Sequence, residues 1–105
     1  MTQGNDYVMV RIYFNEGDRS EKENLAKKLL SDLLDKHLVA GATLQRALAG
    51  FGSHGVVHEA TILHPEARLP LILEFFDSSA NVSRALEYIL TFSGVTAISW
   101  PISTY

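Results

Sequence analysis

Two strand–helix–strand units, separated by a glycine-rich segment, constrain the fold of this chain more than any other feature of its sequence. In residues 7–14 every second side chain is apolar and those between are more mixed. This period of two residues is that of a β-strand. Ser20 and Glu23 form a capping box, which predicts the start of a helix that ends near Gly41. Because residues 42–48 again favour a strand, this half of the chain has the order of a βαβ unit.

The second half of the chain repeats that order. Residues 56–63 are rich in β-branched side chains and predict one arm of a hairpin, and residues 69–76 predict the next strand. An N-cap region at 77–79 opens a second helix that ends near 93–94, and residues 95–102 predict a last strand. Right-handed crossovers then place both helices on one face of a four-stranded antiparallel sheet, the ferredoxin-like (βαββαβ) arrangement of an α+β protein. The predicted apolar stripes of the two helices are Leu25, Ala26, Leu29, Leu30, Leu33 and Leu34, then Val82, Ala85, Leu86, Ile89 and Leu90.

The other face of this sheet is predicted to be covered as well. Residues 69–76 form a nearly continuous apolar run, which burial on both faces of a sheet explains and simple alternation does not. On the first strand, the face opposite the core carries two tyrosines and a methionine beside Arg11. We therefore expect self-association through the face of the sheet that the helices leave uncovered, most simply with identical subunits.

The length, composition and charge of the chain limit the classes of protein to which it can belong. The 105 residues suit one domain spanning 1–105, and they exclude large enzyme folds such as the TIM barrel. The absence of cysteine excludes disulfides, thiol nucleophiles and cysteine-ligated metals, and it favours a reducing compartment. The polar N-terminus and the lack of a long apolar run predict a cytoplasmic protein that is not inserted in a membrane. A net charge of −3, with four lysines, argues against binding to nucleic acid.

The glycine-rich segment 50–55 is the main candidate for ligand binding. It matches G-x-G-x-x-G, but the β-rich residues after it do not form the helix that a dinucleotide fingerprint must open. Its glycines allow a nest of backbone N–H groups suited to phosphate or carboxylate, and the alternative is a loop tip without a ligand. Arg46 leads into this segment and could hold the same anion through its guanidinium, or it could be an ordinary surface arginine. The predicted ligand-binding set is Arg46, Gly50, Gly52, His54, Gly55 and His58.

Other candidate sites are weaker. His54 and His58 match H-x-x-x-H, but on a strand they lie roughly 13 Å apart, too far to share one metal ion. No metal site is therefore predicted within one chain, and a site shared between subunits stays open. Glu74 interrupts an apolar strand and needs a partner, for which Arg11 and Arg84 are the candidates. We interpret this pair as structural, and no catalytic residue is predicted.

The residues at 50–52 and 69–77 also carry a resemblance to a known family. Gly-Phe-Gly at 50–52, followed by His54 and His58, and the run Leu-Pro-Leu-Ile-Leu-Glu-Phe-Phe-Asp at 69–77 resemble the PII-like family catalogued as domain of unknown function 190. The resemblance covers roughly residues 8–100. It implies a compact trimer with a mobile loop at 50–64 and small-molecule sites between subunits. In PII proteins those sites bind adenine nucleotides, and the loop docks on a transporter or an enzyme.

This resemblance predicts a non-enzymatic signalling or regulatory protein that binds a small anionic ligand and has no cofactor. PII proteins follow their second helix with a glycine- and lysine-containing phosphate loop, whereas here residues 91–94 lead almost directly into the last strand. A nucleoside monophosphate therefore suits this chain better than a triphosphate. Two alternatives stay open: a trimeric metal-binding module resembling the copper-tolerance CutA proteins, and a small enzyme at a subunit interface with Glu74 or His58 as its base.

Overall fold

The fold is an α+β ferredoxin-like fold, as the sequence predicts. The structure is a computed structural model, which describes residues 6–14, 19–46, 49–51, 57–59 and 71–105. Its elements are β1 (Tyr7–Phe14), α1 (Arg19–Asp35), β2 (Thr43–Arg46), β3 (Ala49–Phe51), β4 (Val57–Glu59), β5 (Leu71–Ser78), α2 (Ser79–Ile89) and β6 (Val95–Ile102). Four strands form one antiparallel sheet in the order β2-β5-β1-β6, and β3 pairs with β4 in a separate ladder.

Both helices bury their apolar stripes against one face of the four-stranded sheet. Alternate residues of β1 and β5 point into this core, and the small Ala26 and Ala85 let the helices approach the strands. The buried apolar residues are Val10, Ile12, Phe14, Ala26, Leu29, Leu33, Leu71, Leu73, Phe75, Val82, Ala85 and Ile89. Two predicted members of the stripes are instead exposed, since Leu34 and Leu90 retain 71% and 58% of their accessible surface. Among the described residues, no helix is long and apolar enough to cross a membrane.

The second strand, predicted at 42–48, is confirmed over Thr43–Arg46, and residues 47–48 lie outside the described residues. The sequence did not predict the strand that follows it. Thr43–Arg46 pairs with β5 as an edge strand, whereas Ala49–Phe51 belongs to the β3–β4 ladder. The predicted hairpin arm at 56–63 is confirmed over Val57–Glu59, and the rest of it lies outside the described residues. The chain therefore leaves the sheet edge at Arg46 and enters a short hairpin ladder a few residues later.

The end of α1 differs from its prediction. The helix ends at Asp35, and the Leu38 N–H donates to the Leu33 carbonyl while the His37 N–H donates to the Leu34 carbonyl, both at 3.1 Å. This pattern is a Schellman motif, in which the residue after the C-cap adopts a left-handed conformation. His37 has that conformation, with φ of 51°. The prediction that Gly41 ends the helix is wrong, because a non-glycine residue makes the reversal.

We expect His37→Gly to stabilise the protein by about 1 kcal/mol, because glycine adopts positive φ without the steric cost that a Cβ imposes. Urea unfolding measures the change. His37→Ala is the matched control, since it removes the imidazole but keeps the Cβ, and it should give no such gain. Equal midpoints for the glycine and alanine variants would contradict the assignment of the cost to φ.

The start of α2 matches its predicted N-cap region. Ser78 is the N-cap residue, and its hydroxyl oxygen accepts a hydrogen bond of 3.3 Å from the Asn81 N–H. The helix ends at Ile89, and Gly94, with φ of 83°, lies in the turn that leads into β6. By contrast, α1 begins at Arg19, so Ser20 lies within the helix rather than at its N-cap.

Candidate functional site

The face of the sheet opposite the helices carries a broad apolar surface, which we call the helix-free face. Register places Met9 beside both Phe76 and Trp100 across three adjacent strands. Phe76 and Ile98 retain 46% and 43% of their accessible surface. The apolar and aromatic residues of the helix-free face are Tyr7, Met9, Tyr13, Ile72, Phe76, Ile98, Trp100 and Ile102. An exposed surface of this composition is typical of a protein–protein contact.

An ion pair lies near the centre of this face. Arg11 and Glu74 are cross-strand partners, and the Arg11 Nε and Nη2 atoms lie 2.8 and 2.7 Å from Glu74 Oε2. The guanidinium carbon of Arg11 also lies 5.2 Å from the ring centroid of Trp100. Side-chain hydrogen bonds with Tyr13 and with Glu74 raise the pKa of Arg11 above its ordinary value. Of the two partners predicted for Glu74, the structure therefore selects Arg11, and the geometry is that of a structural pair.

The predicted ligand-binding residue Arg46 lies at the end of the edge strand β2. Its Nη2 atom is 2.5 Å from Glu23 Oε1 on α1. The two side chains retain 34% and 19% of their accessible surface, so the pair is partly shielded from water. This contact joins the edge of the sheet to the helix. Sequence reasoning missed it, because Glu23 was assigned to the capping box.

The β3–β4 ladder brings two other predicted site residues together. Gly50 and His58 are cross-strand partners, and such partners have Cα atoms roughly 4.5–5.5 Å apart. Gly52, His54 and Gly55 lie outside the described residues, so their predicted roles stay predictions. Within the described ranges, no group of three or more histidine, aspartate or glutamate side chains could hold a metal ion.

The connection between α1 and β2 borders two cavities that the sequence did not predict. One, of about 550 Å³, lies between this connection and the helix-free face and includes Met9, Glu74 and Phe76 in its lining. The other, of about 400 Å³, lies against α1 and includes Leu30 and Leu34. Neither could be read from the sequence, because residues 40–42, which line both cavities, carry no motif.

Asp77 fixes this connection to the start of α2. Its carboxylate accepts hydrogen bonds from the Ala40 N–H at 2.8 Å, the Ser78 N–H at 2.7 Å and the Asn81 amide nitrogen at 2.8 Å. Burial alone would raise the pKa of Asp77, but these hydrogen bonds outweigh it and hold that pKa below its ordinary value. Asp77 therefore holds Ala40, which lines both cavities, to the start of α2.

Two comparisons with known protein sequences match most of this chain. The family model DUF190, described as "Uncharacterized ACR, COG1993", matches residues 7–99. The UPF0166 protein MJ1524 of Methanocaldococcus jannaschii is 33% identical over 78 residues, which cover 74% of this chain and 70% of that protein.

Two solved structures have the same fold at lower identity. One is CPII, a nitrogen regulatory PII-like protein of Thiomonas intermedia K12 solved with ADP, AMP and bicarbonate. Its comparison with this chain gives a TM-score of 0.59 at 22% sequence identity, and it covers 93% of this chain and 87% of CPII. The other is CutA of Xylella fastidiosa, with a TM-score of 0.64 at 12% identity over 95% and 86% of the two chains. At these identities the likeness concerns the fold.

Proposed function

The chain belongs to the DUF190 family, and we propose that it is a non-enzymatic PII-like regulatory protein of the cytoplasm. In this proposal it is a homotrimer that binds a small anionic ligand beside the segment 50–64 and passes the signal to a regulated protein such as a transporter. The observation that carries the proposal is the pairing of β3 with β4, which brings two of the predicted site residues together. The edge strand ends at Arg46, and the β3–β4 ladder then places Gly50 opposite His58.

The homotrimer is supported by the helix-free face. Packing apolar surface between subunits removes it from water, and three identical sheets can do this around one axis. The central Arg11–Glu74 pair satisfies both charges within one subunit, so this surface can be covered without an unpaired charge. The fold likeness to PII-like signalling proteins also favours an oligomer.

We propose an adenine nucleotide with one phosphate, such as AMP, as the ligand. CPII, which shares the fold, was solved with ADP, AMP and bicarbonate. This chain has no lysine after Lys36, and in the structure α2 is followed by a short turn at 91–94 before β6. A single guanidinium suits one phosphate group, because its planar fork can donate two parallel hydrogen bonds to it.

We expect Arg46→Ala to weaken AMP binding by about tenfold or more, since hydrogen bonds between charged groups contribute roughly 1.5–3 kcal/mol each. Isothermal titration with AMP measures affinity, and native mass spectrometry reports the subunit number and any retained nucleotide or metal. Arg84→Ala is the matched control, because it removes the same charge from the exposed side of α2.

Three outcomes would contradict the proposal. AMP, ADP and bicarbonate could all fail to bind the wild type, the arginine variants could bind AMP equally well, or the assembly could contain a number of chains other than three. A trimer that retains metal and binds it less tightly after His54→Ala or His58→Ala would instead support the CutA-like alternative.

A further inference from the structure

We infer that Glu23 regulates the proposed anion site by competing for Arg46, so that an anionic ligand must displace this carboxylate in order to bind. The inference rests on the proposed function, because it concerns the same guanidinium. It adds an internal ligand, a carboxylate on α1, whose place the phosphate of a nucleotide would take. Binding of the ligand and loss of the Glu23–Arg46 contact are then one exchange.

The geometry of the pair supports such an exchange. Glu23 Oε1 lies 2.5 Å from Arg46 Nη2, the position that a phosphate oxygen would occupy in a charge-assisted hydrogen bond. Arg46 retains about a third of its side-chain surface, so an anion can approach it from solvent. Glu23 is the more shielded partner, at 19%, and it belongs to a helix rather than to a loop. The carboxylate is therefore held beside Arg46, where it competes with other anions for the guanidinium.

The energies favour exchange with a phosphate. An ion pair between partly exposed side chains contributes little to stability, because water and salt screen it. A phosphate carries more charge than a carboxylate and can accept two parallel hydrogen bonds from one guanidinium. A nucleotide phosphate should thus displace Glu23 at a modest cost to affinity.

Displacement would also change the contact between two elements. Arg46 ends β2, the edge strand of the sheet, and Glu23 lies in the N-terminal half of α1. The pair is a direct link between them over 23 positions of sequence. When a ligand takes the guanidinium this link is lost, so ligand occupancy is communicated from the sheet edge to α1.

Glu23→Gln tests the competition. Glutamine keeps the shape of the side chain and one oxygen acceptor but removes the negative charge, so the helix packing is retained. We expect AMP to bind this variant about two- to fivefold more tightly than wild type, the gain that corresponds to a weak ion pair. Glu21→Gln is the matched control, because it removes the same charge from an exposed position of α1 and should leave the affinity unchanged. In the double variant Glu23→Gln/Arg46→Ala, the gain should disappear.

The outcomes separate the two proposals. Equal or weaker AMP binding by Glu23→Gln, or an equal gain from Glu21→Gln, would overturn the competition while leaving Arg46-dependent binding intact. A gain that persists without Arg46 would also overturn it. Failure of AMP to bind any of these proteins would overturn the proposed function, and the competition with it. A native circular dichroism spectrum for Glu23→Gln shows that the affinities compare folded proteins.

Discussion

Replacing Phe76 by glutamate is expected to convert the assembled protein into monomers. Phe76 lies on the helix-free face, retains 46% of its surface within one chain, and contacts the ring of Tyr7 at a centroid distance of 6.5 Å. If identical subunits cover this face, the variant places an unpaired carboxylate in each contact, and a buried unpaired charge is strongly unfavourable. Loss of a large aromatic anchor adds to this cost, so we expect the subunit affinity to fall by at least about 30-fold. Size-exclusion chromatography with light scattering measures the result.

Leu34→Glu is the matched control for this experiment. Leu34 is more exposed than Phe76, at 71%, but it lies on α1, on the opposite side of the sheet. The same substitution there should leave the molar mass at that of the assembly. An unchanged mass for Phe76→Glu, with a native circular dichroism spectrum, would show that the helix-free face is not the contact between subunits.

Much of the fold could be predicted from the sequence, because strand and helix periods report which side chains share a face. The bounds predicted for β1 and β6, residues 7–14 and 95–102, are those of the structure. The end of α1 could not be predicted in this way. Glycine is the usual residue at a left-handed position, and nothing in the sequence marks His37 as the residue that adopts it.

The candidate site was less predictable, because it depends on contacts between residues far apart in sequence. The sequence identified Arg46 and the glycine-rich segment by composition, but Glu23 was explained by a local capping motif. Because the capping motif explained Glu23 from its neighbours alone, its contact with Arg46, 23 positions away, was not predicted. Arg11 and Glu74 were easier to pair, since a charge within an apolar strand requires a partner and only two arginines were suitable candidates.

Leu73→Ala and Ile72→Ala are expected to destabilise the protein in two different ways, although the residues are neighbours on β5. Leu73 is fully buried beneath the helices, whereas Ile72 points to the helix-free face opposite Tyr13. Truncating a buried leucine removes its burial and leaves a cavity, so Leu73→Ala should lower the free energy of unfolding by about 2–5 kcal/mol. That is a large fraction of the roughly 5–15 kcal/mol of a typical domain.

The dependence on protein concentration distinguishes the two variants. The cavity left by Leu73→Ala lies inside one subunit. The loss of unfolding free energy relative to wild type should therefore be the same at protein concentrations below and above the point at which the subunits assemble. Ile72→Ala should act on the contact between subunits, whose contribution to stability grows with concentration by mass action. Urea unfolding at two protein concentrations, a hundredfold apart, measures both effects. The apolar run at 69–76 then has two separate causes, a core on one face and a partner on the other, and equal concentration dependence in the two variants would contradict this division.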